Sequence, residues 1–242
     1  MDFSGKTILI TGSAKRLGRE MALDLANHGA NIVIHYSKSQ VEAREVADLI
    51  RSNGNKAWII QSDLTDPLEA EQLVPQAWEF APLDGIINNA AIFPFEEWHD
   101  TTLEIWQRTL ALNLTAPFLL SKSFAEKLTG TETGHILNIL DWRALRPGKD
   151  HLAYTVSKSA LAALTLSLAQ SFAPRIAVNA LALGAILPPI GNIPTAEVII
   201  PKIPLKRWAS MEELGSAVRF LLSTTPDITG SIIHLDGGRH LN

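Results

Sequence analysis

The sequence predicts an α/β protein in which a doubly wound parallel sheet of about seven strands carries helices on both faces. Two observations predict this class. Short runs of β-branched and aliphatic residues, such as Thr7-Ile8-Leu9-Ile10, alternate with segments whose apolar residues recur at helical spacing. The alternation continues along all 242 residues without a linker or an internal repeat, so we expect one Rossmann-like domain over residues 1–242.

Each predicted strand in the first half of the chain is followed by a predicted helix. After strand 7–10, apolar residues recur at helical spacing, as at Leu17, Met21 and Leu25. The next elements are strand 31–35, helix 40–52, strand 57–61, helix 67–79, strand 84–88 and a long helical stretch near 101–128. The second half adds strand 135–140, helix 151–172, strand 175–180, helix 210–222 and a last strand at 231–235.

One region departs from this alternation. Residues 184–209 are rich in proline and glycine, which break regular elements; these residues are Gly184, Pro188, Pro189, Gly191, Pro194, Pro201 and Pro204. Long loops inside compact domains usually serve function, so we expect a substrate-binding loop at about 184–209. The alternative is a rigid excursion on the surface.

Composition restricts the class of partner. The net charge of −4 and the absence of long runs of one sign argue against nucleic acid and anionic membranes, which leaves small molecules. The chain has no cysteine, which excludes disulfides and thiolate chemistry and fits a cytoplasmic protein. The first residues lack the pattern of an export signal, and no apolar run approaches the length of a bilayer span. We also expect no metal site, because the seven histidines are scattered without paired spacing beside carboxylates.

The turn between the first strand and the first helix has the composition of a dinucleotide site. It reads Thr11-Gly12-Ser13-Ala14-Lys15-Arg16-Leu17-Gly18, and such a turn lets backbone N–H groups approach a pyrophosphate. The second strand ends in His35-Tyr36-Ser37-Lys38-Ser39, without the acid that binds the ribose 2′-hydroxyl of NAD. Lys38, its flanking serines and Arg16 instead offer donors to a 2′-phosphate, which favours NADP(H) over NAD(H).

Tyr154 and Lys158 provide a candidate proton-transfer pair. Their i, i+4 spacing places both side chains on one face of a helix, one turn apart. A neighbouring cation lowers the pKa of a phenol, so we expect Lys158 to bring the pKa of Tyr154 nearer to neutrality and also to hold the nicotinamide ribose.

Together these residues resemble the short-chain dehydrogenase/reductase family along nearly the whole chain. The matching motifs are Thr11-Gly12 with Gly18, Asp63, Asn88-Asn89-Ala90, Asn113, Tyr154 with Lys158, Asn179 with Gly184, and Asp236-Gly237-Gly238. The resemblance implies that Asn113 supports a proton-relay water and that the protein is a homotetramer, with interfaces on the helices near 101–128 and 151–172. The cofactor residues that it implies are Gly12, Lys15, Arg16, Leu17, Gly18, Tyr36, Ser37, Lys38, Ser39, Asp63, Leu64, Asn89, Ala90, Ala91, Tyr154, Lys158, Gly184 and Ile186.

Asp141 is the most informative departure from the family, because most members have a serine there. An ionised carboxylate would repel the oxyanion that develops during carbonyl reduction. A carboxyl with a raised pKa would instead protonate a C=N bond. The alternative is a strand-end carboxylate that caps a neighbouring N–H group.

This substitution, with Arg16 and the Ser37-Lys38-Ser39 turn, resembles the pteridine reductases and the bacterial dihydromonapterin and dihydrofolate reductases. The resemblance implies that Phe93 stacks on the pteridine ring, and we expect a substrate site formed by Arg16, Phe93, Asp141 and Tyr154. Two other functions stay open: an NADPH-dependent carbonyl reductase, such as a 3-oxoacyl thioester reductase, and a non-catalytic dinucleotide sensor.

Overall fold

The computed structural model describes residues 2–187, 196–223 and 227–242. Its centre is a seven-stranded sheet in the order β3-β2-β1-β4-β5-β6-β7, and every neighbouring pair is parallel. The strands are β1 Thr7–Ile10, β2 Asn31–Tyr36, β3 Ala57–Gln61, β4 Gly85–Asn88, β5 Gly134–Asp141, β6 Ile176–Leu183 and β7 Ile232–Leu235. This parallel sheet confirms the predicted fold class. Parallel strands need crossover connections, and helices in those connections bury the faces of the sheet.

Helices cover both faces of the sheet. They are α1 Arg16–Asn27, α2 Gln40–Ser52, α3 Pro67–Phe80, α4 Leu103–Leu110, α5 Ala116–Lys127, α6 Leu152–Phe172, α7 Ala196–Ile199 and α8 Met211–Ser223. The core on one face combines apolar side chains of α1, α2 and α8 with the sheet, and the core on the other face includes those of α3, α5 and α6. Side-chain caps start two of these helices: Asp66 accepts from the Leu68 N–H group, and Thr102 accepts from that of Ile105.

The long helical stretch near 101–128 is interrupted. A π-helical turn, Ala111–Thr115, separates α4 from α5. Pro117 has no N–H group, so it cannot donate the α-helical hydrogen bond to the carbonyl of Asn113 four residues earlier. Single π-turns within helices are frequent at functional sites, and this one contains Asn113.

The predicted loop 184–209 is not wholly irregular. It contains the short helix α7 and a 3₁₀ turn at Ile200–Lys202. Its central residues 188–195 lie outside the described residues, so the structure covers this prediction only in part. Gly237 and Gly238, in the turn after β7, pack closely against residues 203 and 204 of this region. A Cβ atom on Gly237 would lie 2.5 Å from Ile203, and one on Gly238 would lie 3.1 Å from Pro204.

Helix α6 is more apolar than the sequence analysis recognised. By length and composition alone its 21 residues are sufficient to cross a membrane, contrary to the expectation that no segment approaches that length. Of its most apolar window, 56% is buried inside the protein, and the helix packs against β5 and β6. A helix that is apolar on every side is typical of a buried core position, and packing accounts for the composition here.

The topology creates a crevice at the carboxyl ends of β1 and β4, where the order of strands reverses direction. The segments that follow these two strands are joined by hydrogen bonds. The Thr11 N–H group donates to the Ile87 carbonyl at 3.0 Å, and the side-chain amide of Asn89 donates to the carbonyls of Thr11 at 2.8 Å and Gly12 at 3.2 Å. These bonds fix the walls of the crevice.

Candidate active site

A cavity of about 590 Å³ occupies the crevice. All the predicted cofactor residues that lie between positions 12 and 91 line it: Gly12, Lys15, Arg16, Leu17, Gly18, Tyr36, Ser37, Lys38, Ser39, Asp63, Leu64, Asn89, Ala90 and Ala91. The lining also includes residues that the sequence analysis did not single out, namely Ala14, His35, Thr65, Ile92, Arg108 and Leu112, together with Phe93 from the predicted substrate site.

The glycine turn allows a close approach of backbone to backbone. Gly12 has a φ of 64°, and a Cβ atom at Gly18 would lie 2.3 Å from the Gly12 carbonyl oxygen. Arg16 also has a positive φ, 54°, which is uncommon for a residue other than glycine. Such backbone strain persists where the surroundings enforce it and is concentrated at ligand sites.

His35 holds the glycine turn in place, and the sequence analysis missed it. Its Nδ1 atom accepts the Gly12 N–H group at 3.0 Å, and its Nε2 atom lies 3.0 Å from the Ser62 carbonyl. The ring is buried, and burial lowers the pKa of His35 to about 4. A neutral imidazole can accept at one nitrogen and donate at the other, as these two contacts require.

The end of β2 presents a cation and hydroxyl groups to the cavity. Lys38 is exposed between Ser37 and Ser39, and none of the three is acidic. Lys15 forms an ion pair with Glu42 at 2.6 Å, so part of its charge is already compensated. Arg108 adds a further cation to the lining from α4, beyond the reach of sequence spacing.

Asp141, Tyr154 and Lys158 meet at the carboxyl end of β5. Asp141 is the last residue of β5, while Tyr154 and Lys158 lie in the first two turns of α6 and are buried. The Asp141 carboxylate accepts the Arg143 N–H group at 2.8 Å, which is the strand-end cap that the sequence left open as an alternative. The Lys158 ammonium donates to the Ile139 carbonyl at 2.7 Å and lies 5.9 Å from the centroid of the Tyr154 ring.

The pKa values of these three groups depend on one another. Burial raises the pKa of Asp141, and the Arg143 amide and the charges of Arg143, Lys158 and Arg239 oppose the shift without cancelling it. Burial, then the charge of Asp141 and a hydrogen bond with it, raise the pKa of Tyr154 well above its ordinary value. Burial lowers the pKa of Lys158 to about 8. The structure therefore differs from the expectation that Lys158 lowers the pKa of Tyr154, because the ammonium group binds the Ile139 carbonyl and burial, followed by the charge of Asp141, raises the pKa of the phenol.

Asn113 is fully buried in the π-helical turn and connects two segments. Its side-chain oxygen accepts the Ile92 N–H group at 3.0 Å, and its amide donates to the Ile92 carbonyl at 3.0 Å and to the Ser157 hydroxyl at 3.1 Å. Asn113 thus fixes the segment after β4 against the helix that carries Lys158. The relay water implied by the family resemblance stays a prediction.

Phe93 lies between the cavity and Tyr154. Its ring stacks on His151 with centroids 3.8 Å apart and meets the edge of Tyr154 at 4.4 Å. Phe93 nevertheless keeps 44% of its surface exposed and lines the cavity. A half-exposed aromatic ring beside Tyr154 can stack on a flat ligand.

Four predicted cofactor residues in the described part of the chain do not line this cavity: Tyr154, Lys158, Gly184 and Ile186. Tyr154 and Lys158 are buried at the start of α6. Gly184 packs against the backbone of Asp236, where a Cβ atom would lie 2.7 Å from the Asp236 Cα atom, and Ile186 belongs to the hydrophobic core.

A cluster of His234, Asp236 and His240 contradicts the expectation that no histidines are paired beside a carboxylate. Their ligand atoms all lie within 4.8 Å of one another. The Asp236 carboxylate accepts the N–H groups of Gly238 at 2.9 Å and His240 at 2.8 Å, and it contacts the His240 ring at 2.8 Å. Spacing missed this cluster because one histidine lies on β7 and the other on the following turn.

Comparison with known proteins places this geometry among oxidoreductases. A family model described as enoyl-(acyl carrier protein) reductase matches residues 12–240. An uncharacterised oxidoreductase of Thermotoga maritima is 35% identical over 250 residues and 98% of both chains. A 3-oxoacyl-(acyl-carrier-protein) reductase of Synechocystis is 31% identical over 240 residues and 97% of both chains. The solved structure of FolM alternative dihydrofolate reductase 1 from Brucella canis, complexed with NADP, superposes with a TM-score of 0.90 at 35% identity, covering 98% of this chain and 95% of its own.

Proposed function

The chain belongs to the short-chain dehydrogenase/reductase family, and we propose that within it the protein is an NADPH-dependent reductase of pteridines of the dihydrobiopterin, dihydromonapterin or dihydrofolate type. The observation that carries the substrate class is Asp141. Its carboxyl group lies at the end of β5, has a raised pKa and is near enough to Tyr154 for its charge to raise the pKa of the phenol. A protonated carboxyl beside a phenol suits a C=N bond that needs a proton.

NADPH is the cofactor that the cavity fits. Backbone N–H groups at the start of α1 and the close approach at Gly18 suit a pyrophosphate, and Lys38 with Ser37 and Ser39 suits a 2′-phosphate. The similar FolM structure from Brucella canis is complexed with NADP, which supports the same choice. NADPH supplies the hydride when it is bound.

The residues of the chain then provide the proton and the orientation. Tyr154 stays protonated at neutral pH, because burial and Asp141 raise its pKa, so its hydroxyl is a donor in the direction of reduction. Reduction of one C=N bond takes up one hydride and one proton; the Asp141 carboxyl delivers that proton to the ring nitrogen, and the Tyr154 hydroxyl then returns a proton to Asp141. Lys158 lies one helical turn from Tyr154, and its pKa of about 8 keeps it largely cationic at neutral pH, as contact with the nicotinamide ribose requires.

Phe93 forms the wall on which the flat substrate stacks, opposite the nicotinamide. Its partial exposure and its contact with Tyr154 support a stacked ring within reach of Tyr154 and Asp141. Arg16, with its strained backbone in the first turn, lines the same cavity and completes the proposed substrate site. Within the proposed single domain, the region 184–209 is the proposed substrate-binding loop.

A 3-oxoacyl thioester reductase is the second candidate, supported by the similar reductase of Synechocystis. Asp141 argues against it, because reduction of a carbonyl group needs only the proton of Tyr154 and gives no role to a protonated carboxyl. A non-catalytic dinucleotide sensor would not require Asp141, Tyr154 and Lys158 to meet.

NADPH oxidation with dihydrobiopterin, dihydromonapterin, dihydrofolate and an acetoacetyl thioester tests the proposal, with NADH run in parallel. We expect pteridine turnover with NADPH. Turnover of the thioester alone would support the second candidate, and no turnover with any substrate would support the sensor.

We also propose a cytoplasmic homotetramer that associates through α5 and α6. Phe118 on α5 and Val156 and Leu166 on α6 are large apolar residues with exposed side chains in the monomer. Exposed apolar patches of this kind indicate contacts between subunits. Light scattering of the purified protein measures the mass directly, and a monomeric mass would contradict the proposal.

A further inference from the structure

Arg239 stacks on Trp142 beside the proposed reacting centre. The Cζ atom of Arg239 lies 4.5 Å from the centroid of the Trp142 ring, and that of Arg143 lies 5.1 Å from it. Trp142 directly follows Asp141 and begins a 3₁₀ turn, while Arg239 begins the 3₁₀ turn after β7, and the two turns pack together. Both therefore lie at the carboxyl edge of the sheet, where ligands of doubly wound folds bind.

The two guanidinium groups differ in their partners. Arg143 forms an ion pair with Asp150 at 2.6 Å. Within residues 2–187, 196–223 and 227–242, no carboxylate oxygen lies within ion-pair distance, 4.0 Å, of the Arg239 guanidinium. Arg239 is nonetheless partly buried, and a partly buried cation without an ion partner is unfavourable until an anion approaches it.

The charges around Arg239 favour the binding of an anion. Burial, and then the positive charge of Arg143, lower the pKa of Arg239, while Asp141 and Asp236 act in the opposite direction without reversing the shift. Arginine remains charged throughout the physiological range, so the Arg239 guanidinium, which has no ion-pair partner among the described residues, attracts a negative group. Arg239 lies over the ring of Trp142, the residue next to Asp141, and its charge opposes the rise in the pKa of Asp141.

We propose that Arg239, supported by Trp142, binds an anionic substituent of the substrate, a carboxylate or a phosphate. A planar guanidinium with its fork of donors matches either group, and its stacking on the indole fixes its orientation. The inference rests on the proposed function for the position of the substrate beside Asp141. It makes the enzyme selective for pteridines that carry a charged side group over neutral pteridines.

Steady-state kinetics of Arg239→Gln test this subsite with three pteridines. Dihydrofolate carries carboxylates, dihydroneopterin phosphate carries a phosphate, and dihydrobiopterin carries no anionic group. We expect the KM of at least one anionic substrate to rise about tenfold, with kcat little changed and the KM of dihydrobiopterin unchanged. The anionic substrate that responds identifies the source of the anion.

A matched control and a salt series separate recognition from structural support. Arg146 donates to the His240 carbonyl at 3.0 Å, so Arg146→Gln removes a guanidinium from the same C-terminal turn without removing the proposed contact. We expect wild-type KM values. Added salt should raise the KM of the responding anion in the wild type but not in Arg239→Gln, because salt screens the charge interaction. An equal rise of KM for charged and neutral pteridines, or no rise for either, would overturn the proposal.

The test also distinguishes failure of the proposed function. If only thioesters are reduced, the same comparison is made between acetoacetyl-coenzyme A, which carries phosphates, and the neutral N-acetylcysteamine thioester. A KM effect of Arg239→Gln confined to the coenzyme A substrate would retain the anion subsite while the pteridine assignment falls. Absence of that charge dependence would overturn both.

Discussion

Replacement of Asp141 by asparagine separates pteridine reduction from carbonyl reduction. Asparagine keeps a side-chain oxygen that can accept the Arg143 N–H group, now at 2.8 Å, but it cannot deliver a proton. General acid catalysis contributes about 10²- to 10⁴-fold to a rate, which corresponds to about 2.7–5.5 kcal/mol in the activation free energy. We therefore expect Asp141→Asn to lower kcat for dihydropteridines by at least about 100-fold.

The fold should tolerate this substitution. The retained hydrogen bond is worth about 1 kcal/mol, so the free energy of unfolding in urea should change by about that amount or less. The raised pKa of Asp141 means that its ionised form is disfavoured in the folded protein, so removal of the charge does not destabilise it at neutral pH. Carbonyl reduction should be largely retained, because Tyr154 donates the proton to the developing alkoxide and the protonated Asp141 carboxyl is not needed for that step.

The pH dependence gives an independent readout. The raised pKa of Asp141 keeps the carboxyl protonated to a higher pH than an exposed aspartate, and pteridine turnover should fall as pH rises through that value. Asp141→Asn lacks this limb of the profile, and it also lowers the pKa of Tyr154, which Asp141 helps to raise. Asp150→Asn, which removes the nearby partner of Arg143, is the control and should retain the limb. Wild-type pteridine turnover and an unchanged profile in Asp141→Asn would refute the reasoning.

Three further substitutions test the remaining parts of the site. Lys38→Glu should weaken NADPH binding about 10- to 150-fold in titrations and leave NADH binding unchanged, since it removes a charge-assisted hydrogen bond of about 1.5–3 kcal/mol. Equal weakening of both cofactors would contradict this role of Lys38. Lys56→Glu, which lies outside the cavity, is the control. Tyr154→Phe should lower turnover of every substrate by at least about 100-fold while NADPH still binds, and retained turnover would show that another group donates the proton. Gly18→Ala should lower the free energy of unfolding by about 1–3 kcal/mol and weaken NADPH binding, because the Cβ atom of the alanine would lie 2.3 Å from the Gly12 carbonyl oxygen. An unchanged unfolding midpoint would show that the turn relaxes without loss of stability.

Much of the fold could be predicted because its signals are local. The apolar runs of β1 and β2 indicate strands that are buried on both faces of the sheet. The helical periodicity of apolar residues in α1 and α2 indicates helices that are buried on one face. The ends of some elements differ from the prediction. Strand β6 extends to Leu183, three residues beyond the predicted end at 180, because its pairing with β7 continues there. The break between α4 and α5 follows from the missing N–H group of Pro117, a signal that the sequence contains but that apolar periodicity does not report.

The candidate site divides in the same way. The sequence by itself determined the glycine turn after β1, the absence of an acid after β2 and the i, i+4 relation of Tyr154 to Lys158, because each depends on neighbouring residues in one element. Only the tertiary structure decided that His35 holds the glycine turn, that burial and then Asp141 raise the pKa of Tyr154, and that Arg239 reaches Trp142. These contacts join elements far apart in the chain, and their distances and burial arise from how the helices and strands pack, which no spacing within one element records.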